Sequence, residues 1–203
     1  EKLNKKSLKG LKISVQGLGH VGTHLVDYIS KDGAEVYVAD IDQQRVDFIS
    51  NKYDCIAVKP DKILFQEVDI YAPCALGATV NSKTIPDLNC QIIAGAANNI
   101  LENPLKDSNS LVKKDILYAP DYVINAGGLI NVANELEGYD KEKAFSQAEK
   151  IYDTLMGIFK RANKESITTN QAAALQAEDR IKKISTLKSF YLPYKKTFKI
   201  RND

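Results

Sequence analysis

The chain has 203 residues, 44% of them hydrophobic, and 28 Lys and Arg against 26 Asp and Glu leave a net charge of +2, which suits one large domain or a domain with an appendage. So small a net charge excludes a global field for nucleic acid, and no run approaches the ~18 uninterrupted apolar residues of a membrane span, so neither is expected as a partner. Cys55, Cys74 and Cys90 are odd in number, have no metal-ligand spacing and sit in or beside apolar runs, which reads as buried, reduced thiols of a cytoplasmic protein without a metal site.

Residues 1–9 are polar and lysine-rich, a linker or the end of an incoming helix. From residue 10 apolar runs and amphipathic stretches alternate. Residues 11–16 read as a first strand and 20–31 as a helix with Val21, Leu25, Tyr28 and Ile29 on one face, stopped near Asp32-Gly33. Residues 35–40 make a second strand, 42–52 a helix with Val46, Phe48 and Ile49 inward, and 55–58 a short third strand. A short helix follows Pro60, then a fourth strand at 68–72, a helical or turn segment around 82–88 and a fifth strand at 91–95. Asn103-Pro104 opens another helix, and a last strand at 116–120 runs on to Tyr122-Val123-Ile124. This alternation predicts an α/β, Rossmann-type doubly wound, mainly parallel sheet over 10–140, with right-handed crossovers. Beyond Gly128 the pattern turns helical: 129–137, a break at Gly138-Tyr139-Asp140, then 141–164 and 170–188. Residues 141–203 are therefore expected to be added C-terminal helices with a basic tail. The last 22 residues carry Lys182, Lys183, Lys188, Lys195, Lys196, Lys199 and Arg201. A solvated helix and tail is preferred to a nucleic-acid arm, because Phe190, Tyr191, Tyr194 and Phe198 also suit docking onto a neighbour.

The first strand-to-helix turn reads Gly17-Leu18-Gly19-His20-Val21-Gly22. In that setting Gly17 permits the tight turn, Gly19 lets backbone approach a pyrophosphate, and Gly22 lets helix and sheet pack closely. The helix N-terminus offers free N–H groups and a positive dipole end to the phosphates. Asp40, 23 residues after Gly17, ends the second strand, where a carboxylate accepts hydrogen bonds from adenosine ribose hydroxyls and repels a 2′-phosphate. The pattern therefore reads as an NAD site. In a doubly wound sheet the strand carboxyl ends carry the ligand, and two of them, Ala96-Ala97-Asn98-Asn99 and Asn125-Ala126-Gly127-Gly128, combine small residues with amides that donate and accept.

Asp69-Ile70-Tyr71-Ala72-Pro73-Cys74-Ala75-Leu76-Gly77-Ala78, Ala96-Ala97-Asn98-Asn99 and Tyr118-Ala119-Pro120-Asp121-Tyr122-Val123-Ile124-Asn125-Ala126-Gly127-Gly128, in this order after the glycine loop, closely resemble the Glu/Leu/Phe/Val amino-acid dehydrogenase family, its leucine dehydrogenase branch in particular. The resemblance covers nearly all of residues 8–185 and weakens around Thr168-Thr169-Asn170-Gln171. It implies NAD-dependent, reversible oxidative deamination of a branched-chain L-amino acid to its 2-oxo acid and ammonia. By position, Gly17 to Gly22 would hold the pyrophosphate, Asp40 the adenosine ribose, Cys74 and Ala75 the path to the nicotinamide ribose, and Asn98 the nicotinamide. Asn125 would contact the substrate carboxylate, and Leu129 and Val132, at i and i+3, one wall of the side-chain pocket. Core packing accounts for Leu129 and Val132 at least as well, and turn formation is the competing reading of both asparagines. His20 stands where Asn is more usual and reads as a backbone-facing filler without a proton-transfer role; Leu129 replaces a more usual Val.

Deamination also needs a general base and acid. The resemblance places that work on a lysine in a Gly-Gly-Lys context, a second lysine and an aspartate, all ahead of the glycine loop. Only 16 residues precede Gly17 here, no later lysine follows a glycine pair, and the chain opens on Glu1. No catalytic residue is therefore assigned. The expectation is the cofactor domain of a longer, oligomeric dehydrogenase whose catalytic domain lies outside this chain, inactive alone; the alternative is a free-standing NAD-binding sensing or regulatory module.

Overall fold

The computed structural model describes residues 2–136 and 138–188. Short apolar runs buried on both faces favour parallel pairing, and six strands form: β1 (Lys12–Gln16), β2 (Glu35–Ala39), β3 (Ile56–Ala57), whose two residues are exposed at the sheet edge, β4 (Ile70–Pro73), β5 (Ile92–Ile93) and β6 (Leu117–Tyr118). They lie in the order β3-β2-β1-β4-β5-β6. β1 is central, with Ile13 opposite Val36 of β2 on one side and Ile70 of β4 on the other, all parallel. Connections run outward in both directions from β1, so the carboxyl ends of β1 and β4 flank the switch point where such folds bind ligands. The doubly wound α/β sheet expected from the alternation is the one observed.

Helices α1 (His20–Lys31) and α2 (Gln43–Tyr53) follow β1 and β2, and α3 (Pro104–Lys113) precedes β6. Their starts have local causes. Asp42 accepts the Arg45 N–H at 3.2 Å at the head of α2, and Asn103 accepts the Lys106 N–H at 3.1 Å at the head of α3, where Pro104 needs no partner. Inside α1 the buried row is Gly22, Val26 and Ile29, whereas Val21 and Tyr28 are exposed. The predicted stripe was therefore one residue out of phase for those two. Gly22 sets the rotation: it sits against the preceding turn, and positions four and seven residues further on share its face. In α2, Val46 and Ile49 are inward, but Phe48 is 62% exposed, one position off the same row.

Other expectations shift for equally local reasons. The last strand stops at Tyr118; residues Asp121–Ile124 form a short helix, α4, because Pro120 cannot donate into a ladder and the Asp121 carboxylate accepts the Tyr122 N–H at 2.7 Å. The segments after Pro60 and around 82–88 are single 3-10 turns, Ile63–Phe65 and Ile85–Asp87. Two cores divide the sheet. Val15, Val26, Val38 and Ile49 belong to the β1–β2 half, and Tyr71, Ile93, Ile100 and Leu111 to the β4–β6 half.

The C-terminal third is α5 (Gly127–Glu135), α6 (Lys141–Glu165) and α7 (Thr169–Lys188). Ile158 and Ala162 of α6 pack on Ala172 and Ala173 of α7. Arg161 bridges Glu165 at 3.0 Å and Asp179 at 2.8 Å, and the Thr169 hydroxyl donates to the Tyr118 carbonyl at 2.7 Å, tying α7 to β6. The start of α7 is thus docked, whereas Ile181 and Ile184, further along, are exposed. The basic tail beyond Lys188 lies outside the described residues. Among the described residues no helix is long and apolar enough to cross a membrane.

Adjacent positions on α2 test the rotation of these helices. Ile49→Ala removes a side chain that is 1% exposed and is expected to cost about 2–5 kcal/mol in denaturant unfolding. Phe48→Ala is expected to cost less than about 1 kcal/mol; equal losses would contradict the observed face.

Candidate functional site

The glycine loop turns sharply from β1 into α1. Gly17 has φ +96°, in the region that favours glycine, and its N–H donates to the Ala39 carbonyl at 2.7 Å. A Cβ at Gly17 would stand 2.7 Å from the Ala75 Cβ, and one at Gly22 would stand 2.0 Å from the Gly17 carbonyl oxygen. The turn, the head of α1 and the loop after β4 therefore close on one another only because both residues lack side chains. Gly19 differs: its φ is an ordinary −65° and a Cβ there would meet no atom within 4 Å. Leu18 is buried, whereas His20 and Val21 are exposed at the first turn of α1. His20 is thus no backbone-facing filler but a solvent-facing side chain.

Asp40 follows the last residue of β2, and its side chain is only 10% exposed. Its Oδ2 accepts the Leu18 N–H at 2.6 Å and its Oδ1 the Asp42 N–H at 3.0 Å. Arg45 stands 3.8 Å away. Burial works against the charge, but the Asp42 and Leu18 N–H groups and the Arg45 guanidinium outweigh it and hold the carboxyl below its ordinary value. A carboxylate so placed stays ionised and anchors the second strand end to the glycine loop.

Three further strand ends converge. Beyond β4, Cys74 is half-buried and Ala75 exposed against the glycine loop. Burial pushes the Cys74 thiol up, with the Ala96 backbone hydrogen bond a smaller opposing influence, so it lacks the thiolate character of a nucleophile. Gly77 lets this loop meet the next one: a Cβ there would lie 2.4 Å from the Asn98 carbonyl oxygen, and the Ala78 N–H donates to the Asn99 carbonyl at 2.6 Å. Asn98 is exposed, and its Oδ1 accepts the Asn125 Nδ2–H at 2.8 Å. The structure brings these two asparagines together across 27 residues of chain. The left-handed conformation at this turn belongs to Asn99, with φ +52°, while the Asn98 side-chain oxygen is engaged by Asn125.

Leu129 and Val132 are 74% and 54% exposed on α5, so neither packs in the core of this chain. Asn134 on the same helix is buried and donates to the Gln147 Oε1 at 2.7 Å, fixing α5 on α6. One residue with a clear structural part had drawn no assignment. Asp121 is buried; its Oδ2 accepts the Ile100 N–H at 2.8 Å, joining the Asn98 loop to the helix that ends at Asn125. Its signal in the sequence is a carboxylate directly after a proline at a strand end.

The described residues contain no group of three or more His, Cys, Asp or Glu able to hold a metal ion. The assembled edge offers an open approach at Gly19, an ionised carboxylate at the second strand end, two coupled amides and an apolar flank. Such a set has the donors, acceptors and apolar surface to hold a large polar ligand beside a smaller one.

Residues 38–188 match the model of the Glutamate/Leucine/Phenylalanine/Valine dehydrogenase family. The chain is 51% identical over 184 residues to L-tryptophan dehydrogenase of Nostoc punctiforme, covering 91% of this chain and 52% of that protein. It is 45% identical over 186 residues to leucine dehydrogenase of Bacillus cereus, covering 92% and 50%. The crystal structure of the Nostoc punctiforme enzyme superposes with a TM-score of 0.86 at 51% identity, covering 88% of this chain and 54% of that one. The chain thus spans about half the length of the relatives it matches. With sheet order, strand-end strings and family model in agreement, this chain belongs to the Glutamate/Leucine/Phenylalanine/Valine dehydrogenase family.

Proposed function

We propose that this chain is the NAD-binding half of an oligomeric enzyme that deaminates an L-amino acid with an apolar, branched side chain to its 2-oxo acid and ammonia, reversibly. The observation that carries the reading is the Asn125–Asn98 hydrogen bond at the switch-point edge, which sets a substrate-type amide beside a cofactor-type amide. The glycine loop supports the cofactor. Protein atoms explain Gly17 and Gly22, but only open space surrounds a Cβ at Gly19; backbone there is free for a pyrophosphate to approach the first N–H groups of α1.

Bound NAD supplies the hydride acceptor. The chain's own residues do the rest of the holding. Asp40 keeps lone pairs for the adenosine ribose hydroxyls, since a carboxylate offers about four acceptor sites and two are taken by N–H groups. Asn98 has spent its Oδ1 on Asn125, so its amide N–H remains to donate to the carboxamide of the nicotinamide. Asn125 has a second Nδ2–H for the substrate carboxylate. Leu129 and Val132 present apolar surface where the substrate side chain would lie, and Cys74 and Ala75 flank the nicotinamide ribose. Proton transfer is assigned to groups in the other half of a longer polypeptide.

A tryptophan-type substrate is the second reading, favoured by the 51% identity to a protein named L-tryptophan dehydrogenase. The complete polypeptide is expected to reduce NAD with L-leucine, L-valine or L-isoleucine. Turnover confined to L-tryptophan would select the second reading, and no turnover of any L-amino acid would leave a sensing module instead.

Binding of NADH to this chain, followed by fluorescence titration, separates the roles of the glycines. Gly19→Ala is expected to cost about 1 kcal/mol or less, since Ala is a poorer N-cap than Gly, while weakening NADH roughly tenfold, as a methyl group fills the phosphate approach. Gly22→Ala is expected to destabilise by about 1–3 kcal/mol or more through overpacking. The opposite ranking in thermal melts would contradict the placement of the pyrophosphate. Asp40→Ala is expected to weaken NAD and relax rejection of NADP; unchanged affinity for both would remove Asp40 from the ribose site.

A further inference from the structure

Tyr71 of β4 is fully buried and belongs to the apolar cluster that includes Leu64, Val80, Ile85 and Ile93. A phenol so placed needs a partner for its hydroxyl. It stands opposite Ser14 of β1, and Gln16, two residues further along β1, shares that face of the sheet. The Tyr71 hydroxyl donates to the Gln16 Oε1. Its oxygen also lies 3.5 Å from the Thr79 Oγ1, and because its one proton is taken by Gln16, the Thr79 hydroxyl is the donor across that longer contact. Burial drives the phenol far above its ordinary range, against a smaller lowering by Thr79, so the group stays a neutral O–H across the neutral pH range.

These two partners bracket the loop assigned above to the nicotinamide ribose. Gln16 directly precedes Gly17, and its backbone carbonyl accepts the Cys74 N–H at 2.7 Å, where the loop begins. Thr79 closes the same loop, and its carbonyl accepts the Thr84 hydroxyl at 2.8 Å. Between them lie Ala75, which abuts Gly17, and Gly77, which abuts Asn98. One buried hydroxyl thus reaches the strand beside the loop's start and the residue at its end. The adenosine end is held separately: Asp40 accepts N–H bonds from Leu18 and Asp42, and neither involves Tyr71.

We propose that Tyr71 is a positioning residue for the nicotinamide half of the dinucleotide: its hydroxyl, held between Gln16 and Thr79, sets the spacing of the Cys74–Gly77 loop from the glycine loop. The inference rests on the dinucleotide reading of the glycine loop and deepens it by dividing the site into two separately anchored halves. Tyr71 itself, with no exposed surface, does not touch the ligand. Without its hydroxyl the Thr79 end of the loop gains room to shift, and Ala75 and Asn98 lose their fixed separation from Gly17. Asp40 keeps its place.

The test compares binding of NADH to this chain, followed by fluorescence, with binding of ADP, followed by calorimetry; ADP carries the adenosine ribose and pyrophosphate but no nicotinamide. Tyr71→Phe keeps the ring and removes only the hydroxyl. It is expected to weaken NADH about fivefold, the scale of one hydrogen bond, while ADP stays within about twofold of wild type. Thr79→Val is expected to weaken NADH in the same direction, about two- to threefold, and Thr79→Ser, which restores the hydroxyl, to bind as wild type does. This pair decides the matter should Tyr71→Phe fail to fold. Unchanged NADH affinity in Tyr71→Phe, or equal losses for NADH and ADP as a general loosening would give, overturns the proposal. So does Thr79→Ser behaving like Thr79→Val. Equal affinity of the wild-type chain for both ligands, with no gain from the nicotinamide half, also overturns it and leaves the adenosine half standing. Failure of the wild-type chain to bind either ligand instead removes the dinucleotide reading, and this inference with it.

Discussion

Gly22 against the Gly17 carbonyl is the contact from which the rest of the site follows. A Cβ at Gly22 would stand 2.0 Å from that oxygen, so the helix is held on its own preceding turn with no room to roll. Fixing Gly22 fixes which row of α1 faces the sheet, Val26 and Ile29, and therefore which residues are turned outward. His20 and Val21 are left exposed for this reason, and the first N–H groups of α1 end at the switch point. Packing density and the placement of the α1 N-terminus share one atom-scale constraint here.

The same economy links the loops at the carboxyl edge. Asp40 joins the second strand end to the glycine loop, Gly77 lets the β4 loop touch the Asn98 turn, and Asp121 ties that turn to the helix ending at Asn125. None of these contacts buries much apolar area. The two carboxylates each satisfy a backbone N–H that would otherwise be stranded near the protein interior, and in doing so fix one loop against the next. A carboxylate accepting two N–H bonds is also kept ionised, so at Asp40 the structural role and the electrostatic role reinforce each other.

The sheet, its parallel sense and the glycine loop with Asp40 were legible in the sequence because each rests on short-range pattern: apolar runs of strand length, a glycine spacing, an acid at a strand end. Errors fell where tertiary contact overrides pattern. Val21, Tyr28 and Phe48 looked inward because apolar spacing alone cannot say which of two overlapping rows a helix buries. Residues 122–124 looked like strand because they are apolar and β-branched in part, yet Pro120 and Asp121 start a helix there. Asp121 passed unassigned because its partner, the Ile100 N–H, is 21 residues away. The Asn125–Asn98 bond was equally invisible: each string could be recognised, but not that the two amides touch.

The buried clusters and the exposed apolar row of α5 occupy different parts of the chain. The buried clusters draw on the strands, on α1 to α3 and on the α6–α7 seam, whereas Leu129 and Val132 lie exposed along α5 and Leu136 just beyond its end. That helix is held by a polar contact, Asn134 to Gln147, and contributes no large apolar side chain to those clusters. Apolar side chains that do not support the fold are free to vary with what they touch. On the proposed reading of α5, a change at Leu129 would reshape a substrate wall without the penalty that a core position imposes.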